Sequence, residues 1–114
     1  MPRQLPPLYA LRAFEAAARL SSFTRAGEEL SITQSAISRH IRTLEEHFAC
    51  RLFVRSGRSL QLTEAARVLL PGVREGFAAL ERACHTLNAE DDILRMKAPS
   101  TLTMRWLLAR LSRF

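Results

Sequence analysis

The fold is decided by the stretch Thr33-Gln34-Ser35-Ala36-Ile37-Ser38-Arg39-His40-Ile41-Arg42-Thr43-Leu44-Glu45-Glu46. Apolar residues recur along it at intervals of four, three and four, at Ile37, Ile41, Leu44 and Phe48. This period predicts a helix from residue 33 to residue 48 with one buried stripe, and Thr33 is a suitable N-cap. At about 3.6 residues per turn, the opposite side of the helix carries Ser35, Ser38, Arg39 and Arg42.

The outer face of this predicted helix suits contact with double-stranded DNA. Its short hydroxyls, an amide and two guanidinium groups can donate hydrogen bonds to guanine and adenine edges and to phosphates in a major groove. The rest of the chain is interpreted as the support that holds this helix.

Size and charge agree with such a partner. The 114 residues suffice for one ordinary domain with a hydrophobic core, with or without an appendage. Residues 1–62 carry nine arginines and five glutamates, residues 63–92 three arginines and six acids, and residues 93–114 five bases and no acid. A basic front half favours a polyanionic partner. The alternative is a solvated basic surface that has no partner.

The cysteines and the apolar runs indicate the cellular compartment of the protein. Cys50 and Cys84 lie far apart without a paired-cysteine motif, which favours two thiols over a disulfide or a metal site. No apolar signal core follows the N-terminus, and no run reaches membrane-spanning length. We therefore expect a cytoplasmic protein without metal or cofactor.

Two shorter helices are predicted before the central one. The first follows Pro7 and ends near Leu20, and the second is capped by Ser22. Only Ser31 and Ile32 separate the second helix from Thr33, a spacing typical of a helix-turn-helix. On periodicity alone, an ordinary helical bundle with a polar surface is a fair alternative.

A strand, a turn and a second strand are predicted over residues 52–55, 56–59 and 60–62. Such a hairpin is marginal alone, so it must pack on the helices. Arg55 and Arg58 sit at its turn, where they can reach backbone or minor groove. The fold class is therefore mainly α: a winged helix-turn-helix.

A long helix is predicted from residue 64 to residue 88, capped by Thr63. Its apolar residues alternate at four and three, which is a heptad seam: Ala66, Leu70, Val73, Phe77, Leu80, Cys84 and Leu87. We expect a second copy of the chain to cover the seam, with Leu70 to Leu87 forming a dimer interface. A helix lying against its own domain is the alternative.

The chain is predicted to divide into residues 1–62, the DNA-binding domain; 63–89, the linker helix; and 90–114, a hinge and a short fragment of an α/β domain. Glu90-Asp91-Asp92 is interpreted as the hinge, and residues 93–97 as the start of a strand. Pro71 is expected to bend the linker helix.

Ordered motifs along the whole chain resemble the N-terminal region of LysR-type transcriptional regulators. These are Leu11-Arg12-Ala13-Phe14, Ser22-Phe23-Thr24-Arg25-Ala26, residues 33–39, Leu44-Glu45-Glu46, Leu52-Phe53 and Leu62-Thr63. Leu69-Leu70-Pro71 and Arg105-Trp106-Leu107-Leu108 are similar to the branch that includes the glycine-cleavage activators.

The resemblance implies a winged-helix DNA reader, dimerised antiparallel by its linker helix and joined to a two-lobed effector sensor. By the family pattern, Gln34, Ser35, Ser38 and Arg39 meet base edges, Thr24 and Arg25 lie near phosphate, and Arg58 reaches the adjacent backbone. With Thr33, Arg42 and Arg55, these residues form the candidate DNA-binding set. A full-length relative could form tetramers.

Ser100 and Thr101 match the place where the family's sensor begins to contact its small-molecule effector. Most of that sensor lies beyond these 114 residues. We therefore expect the chain to bind a two-fold-symmetric operator without response to an effector.

Three residues depart from the family pattern. Gly27 stands where a second alanine is usual and should weaken its helix by about 1 kcal/mol. Ala49 replaces a glycine after the central helix, which costs about 1 kcal/mol if its backbone is left-handed. Ala66 replaces another glycine at the start of the linker helix, where alanine should help.

Two other function classes were weighed. The three histidines, His40, His47 and His85, are dispersed, and no phosphate-binding glycine loop, nucleophile elbow or metal-ligand spacing is present. Catalysis is therefore not expected. The other class is an interaction protein that pairs with full-length relatives through residues 64–88.

Overall fold

The computed structural model describes the backbone of residues 5–97 and the side chains of residues 5–90. The elements run in the order α1 (Leu8–Leu20), α2 (Phe23–Leu30), α3 (Gln34–Phe48), β1 (Phe53–Ser56), β2 (Ser59–Leu62) and α4 (Glu64–Lys97). The chain divides into two compact units, Met1–Gly76 and Phe77–Phe114. The mainly helical, winged helix-turn-helix architecture is thus confirmed for the first unit.

Side-chain caps fix where the two helices of the helix-turn-helix begin. The Ser22 hydroxyl accepts the Arg25 backbone N–H at 3.0 Å, and the Thr33 hydroxyl accepts that of Ala36 at 3.0 Å. Each cap satisfies a donor that has no partner within its own helix. Both caps were predicted from the sequence.

The core of the first unit lies where α1, α2 and α3 meet. The largest fully buried side chains are Phe14, Ile37, Leu44 and Leu52. The predicted apolar stripe of α3 is buried at Ile37, Ile41 and Leu44, whereas Phe48 remains 38% exposed. The stripe thus packs α3 into this core along all but its last turn.

Gly27 allows the turn of the helix-turn-helix to lie close to α2. A Cβ atom built on Gly27 would stand 2.7 Å from the carbonyl oxygen of Ile32, closer than real contacts allow. The Ile32 N–H in turn donates to the Gly27 carbonyl at 2.9 Å. Only glycine leaves room for this close approach, which explains its presence in α2 despite its weak helix propensity.

The hairpin is antiparallel, with β1 one residue later than predicted and β2 beginning one residue earlier. Phe53 pairs with Leu62, and Ser56 with Ser59. Gly57 provides the turn with a φ of +63°. At the base of the hairpin, the Phe53 ring packs edge-on against Phe14 at 5.7 Å and Phe23 at 5.4 Å between centroids. These contacts attach the hairpin to the helices.

The long helix begins as predicted and continues further. Thr63 caps α4, because its hydroxyl accepts the Ala66 N–H at 3.2 Å. The predicted hinge at residues 90–92 and the strand start at residues 93–97 are wrong, since α4 runs on to Lys97. Residues 77–97 contain neither glycine nor proline, so nothing in their backbone ends the helix.

Three helix ends are closed by residues with positive φ that are not glycine: Ser21, Ser31 and Ala49. Ala49, at φ 56° and ψ 42°, ends α3 in the left-handed region. Alanine bears the steric cost of its Cβ in this conformation, a cost that glycine does not have. The strain anticipated at Ala49 is therefore present.

We predict that Ala49→Gly raises the free energy of unfolding by about 1 kcal/mol, because glycine adopts this conformation freely. Ala18→Gly, inside α1, is the matched control and should lower stability by about 1 kcal/mol. Urea unfolding of both variants checks the expectation. A destabilised Ala49→Gly variant would contradict it.

Candidate nucleic-acid interface

The polar face of α3 stands outward on the side opposite the buried stripe. Gln34, Ser35, Arg39 and Arg42 are exposed, and Ser38 is half-buried. Thr33 is exposed too, with its hydroxyl used as the helix cap. Because the stripe and the cap hold the helix, these side chains project from a rigid element.

The start of α2 adds a second exposed polar group. Thr24 and Arg25 lie in its first turn, and both are exposed. Backbone N–H groups and the helix dipole favour an anion at such a helix start. The cationic side chain of Arg25 reinforces that preference.

The two wing arginines differ in position. Arg58 is exposed in the turn beside Gly57, as predicted. Arg55 lies in β1, and its guanidinium carbon is 5.9 Å from the centre of the Phe23 ring. Arg55 thus extends toward α2, and Arg58 is left as the arginine of the turn.

A cleft of about 220 Å³ separates α3 from the wing. Its walls include Ser38, Arg42, Glu45, Arg51 and Arg55. The Glu45 carboxylate accepts the Leu52 N–H at 2.8 Å and lies 3.6 Å from Nε of Arg51. The cleft therefore collects three arginines and one carboxylate between the two proposed DNA-contacting elements.

Glu45 and Arg51 were missed as site residues by the sequence analysis. Glu45 was noted only within a family motif, and no periodic signal separates it from its neighbour Glu46. Only the return of the chain from the end of α3 to β1 brings the Leu52 N–H to Glu45.

Another charged cluster joins α1, α2 and α4 within the first unit. Arg19 hydrogen-bonds Glu15 at 3.0 Å and also Glu29, and Arg74 reaches Glu15 at 4.0 Å. The bonds to Glu29 and Glu15 raise the pKa of Arg19, and the bond to Arg19 lowers the pKa of Glu29. These arginines are satisfied by carboxylates, in contrast to those of α3 and the wing tip.

The fold buries the first residues of the predicted dimer seam and leaves the later ones more exposed. Ala66, Leu70 and Val73 are buried in the first unit, where Arg74 contacts Glu15. In the second unit Phe77 and Leu87 are half-buried, and Leu80 and Cys84 are exposed. Leu70 and Val73 thus belong to the chain's own core. Ser100 and Thr101 lie outside the described residues.

Within the described residues, no cluster of three or more histidine, cysteine or acidic side chains is placed to hold a metal ion. In the same part of the chain, no helix has the length and apolar character needed to cross a membrane.

His40 links α3 to α1. Its half-buried ring lies against Tyr9, with 4.8 Å between ring centroids. Burial and then the neighbouring Arg39 lower the pKa of His40 below its ordinary value of 6.5. The folded protein therefore favours the neutral ring.

A family profile described as bacterial regulatory helix-turn-helix protein, lysR family, matches residues 8–67. Among curated relatives, the glycine cleavage system transcriptional activator of Escherichia coli K12 is 43% identical over 116 residues, which cover 100% of this chain and 38% of the relative. The carbapenem-hydrolyzing beta-lactamase transcriptional activator of Serratia marcescens is 44% identical over 110 residues, with 95% and 38% covered.

Solved structures share the fold of this chain. A Corynebacterium glutamicum OxyR C206 mutant superimposes with a TM-score of 0.70 at 30% identity, over 75% of this chain and 27% of that one. The DNA-binding domain of BenM, in a complex with catB site 1 DNA, gives 0.68 at 26% identity, over 73% and 93%. The chain spans 38% of the length of these two curated relatives. None of these matches supports the alternative of a pairing protein.

We predict that stability falls as the pH drops below about 6.5, the ordinary histidine pKa, because the lowered pKa of folded His40 makes protonation favour the unfolded chain. The contribution is complete above the unfolded pKa and is lost as the pH falls through the folded one. His40→Gln should flatten this dependence in urea unfolding above about pH 5, where carboxylates do not yet titrate.

An unchanged slope in His40→Gln would show that other groups cause the effect.

Proposed function

Because the chain belongs to the LysR family of bacterial regulatory helix-turn-helix proteins, we propose that it is a sequence-specific DNA-binding regulator of transcription. The observation that carries the proposal is the exposed polar face of α3 beside a basic wing. The buried stripe of α3 and its Thr33 cap give that face the rigidity that base recognition needs.

The proposed roles follow from side-chain chemistry. Gln34 and Arg39 can each form paired hydrogen bonds, with adenine and guanine respectively, and Ser35 and Ser38 add single contacts. Thr24, Arg25 and Arg42 are assigned to phosphates, which fix register without reading sequence. Arg58 is assigned to the backbone or minor groove beside the wing, and Arg55 to the cleft edge.

Two similar solved structures support DNA as the partner. They are complexes of the BenM and CbnR DNA-binding domains with DNA. The second structure superimposes with a TM-score of 0.64 at 26% identity. We extend this partner to the present chain because it has the same fold and the basic surface that phosphate contact requires.

We further propose that two copies pair through the second half of the α4 seam. Leu80 is 50% exposed, and Phe77, Cys84 and Leu87 share its heptad face. A two-fold dimer presents two copies of α3, so its operator should be two-fold symmetric.

Selection of bound fragments from sheared genomic DNA, followed by titration of the recovered duplex and of random DNA, tests the proposed function. We expect one recurrent inverted-repeat sequence, bound at least about a thousandfold more tightly than random DNA at physiological salt. Recovery without sequence preference would overturn it.

For the base-reading role, we predict that Arg39→Ala weakens operator binding by about 1–3 kcal/mol and relaxes preference at one position. Arg58→Ala should weaken operator and random DNA evenly and flatten the salt dependence by about one phosphate contact. Salt-dependent titrations of both variants compare the two arginines. Equal losses on both DNAs for Arg39→Ala would exclude base recognition by Arg39.

For the dimer, we predict that Leu80→Asp produces monomers, because a carboxylate without a partner is costly to bury in an apolar seam. Ala79→Asp, exposed at the adjacent position and off the heptad face, is the matched control and should still dimerise. Sedimentation equilibrium measures both, and circular dichroism monitors helix content. An unchanged Leu80→Asp dimer would place the interface elsewhere.

A further inference from the structure

Glu45 makes three hydrogen bonds to the segment between α3 and β1, residues 49–52. The Glu45 carbonyl accepts the backbone N–H of Ala49 and, at 3.1 Å, that of Cys50. Its carboxylate accepts the N–H of Leu52 at 2.8 Å. One residue of α3 thus binds three of the four residues that lead into the wing.

The same segment is tied to the end of the wing. The Thr63 hydroxyl donates to the Arg51 carbonyl at 2.7 Å, and the Thr63 N–H donates to the Leu52 carbonyl at 3.0 Å. The Leu52 side chain itself is buried, with 1% exposed. The connection from α3 through Leu52 to both strands of the wing is therefore continuous.

The charge of Glu45 opposes the partner proposed for its surroundings. Its side chain is 19% exposed in the cleft that also contains Arg42, Arg51 and Arg55. A carboxylate there repels phosphate and reduces the attraction of the arginines. Its presence beside a DNA-binding face is thus unfavourable for affinity and calls for another role.

We infer that Glu45 is a positioning residue that fixes the wing relative to α3, so that both contact one operator together. The inference rests on the proposed function. The carboxylate hydrogen bond with Leu52 sets the distance between the two elements, at the cost of some general attraction to DNA. Glu45 therefore contributes to discrimination between sequences and lowers affinity for all of them.

The two effects of Glu45 can be separated by substitution. Glu45→Gln retains an oxygen that accepts the Leu52 N–H and removes the charge. We expect it to bind selected and random duplexes more tightly by a similar factor, leaving their affinity ratio unchanged. Glu45→Ala removes both the charge and the acceptor. Its ratio of operator to random-DNA affinity should fall roughly tenfold, about the value of one base contact.

The experiment titrates the 114-residue chain and these variants with the duplex selected by the wild type and with random DNA. Glu46→Ala, at the exposed neighbouring position, is the matched control for charge and helix propensity and should keep the wild-type ratio. Amide exchange of Leu52, followed by NMR, reports the hydrogen bond itself. Protection should persist in Glu45→Gln and decrease in Glu45→Ala.

A general loss of stability would lower both affinities of Glu45→Ala through the folded fraction, leaving their ratio unchanged. An unchanged ratio despite lost Leu52 protection would therefore overturn the inference and leave the proposed function standing. Failure of Glu45→Gln to keep the ratio would also overturn it, because the hydrogen-bond acceptor would not suffice. A wild-type chain that binds every duplex equally would instead overturn the proposed function.

Discussion

The burial of Ile37, Ile41 and Leu44 is the constraint on which the rest of the structure depends. Each such side chain contributes about 1.5–3 kcal/mol when it leaves water, and together they fix the rotation of α3 about its axis. That rotation exposes Arg39 and buries Ile41. A turn of the helix by one residue would place apolar groups outward and arginine in the core. The orientation of the proposed base-reading face is thus a consequence of hydrophobic burial.

Hydrogen bonds then connect α3 to the wing and the wing to α4. Glu45 binds the backbone that leads into the wing, and Thr63 binds the same backbone and caps α4. These polar contacts add direction, which burial alone lacks. The wing is a two-stranded hairpin, which would be marginal without such attachment. Its position is set by contacts at its base, while Arg58 at the turn remains exposed.

Charge is distributed in two ways within the first unit. The Arg19 cluster pairs bases with acids and joins three helices. Along α3 and the wing tip, by contrast, exposed arginines outnumber exposed acids. A uniform basic surface would bind polyanions with little orientation. The proposed interface instead has a basic face with one carboxylate in its cleft, that of Glu45. This carboxylate is proposed to fix the position of the wing, although it weakens the attraction to DNA.

The sequence by itself predicted where the helices begin, the caps at Ser22, Thr33 and Thr63 and the outward face of α3, because periodicity and capping are local properties of the chain. The family motifs added the winged architecture. The uninterrupted heptad, however, did not show that Leu70 and Val73 join the chain's own core while Leu80 stays exposed. Nor did the sequence show the close approach at Gly27, the left-handed backbone of Ala49 or the hydrogen bond between Glu45 and Leu52. Only the tertiary structure decided these features, because they depend on which segments meet in space.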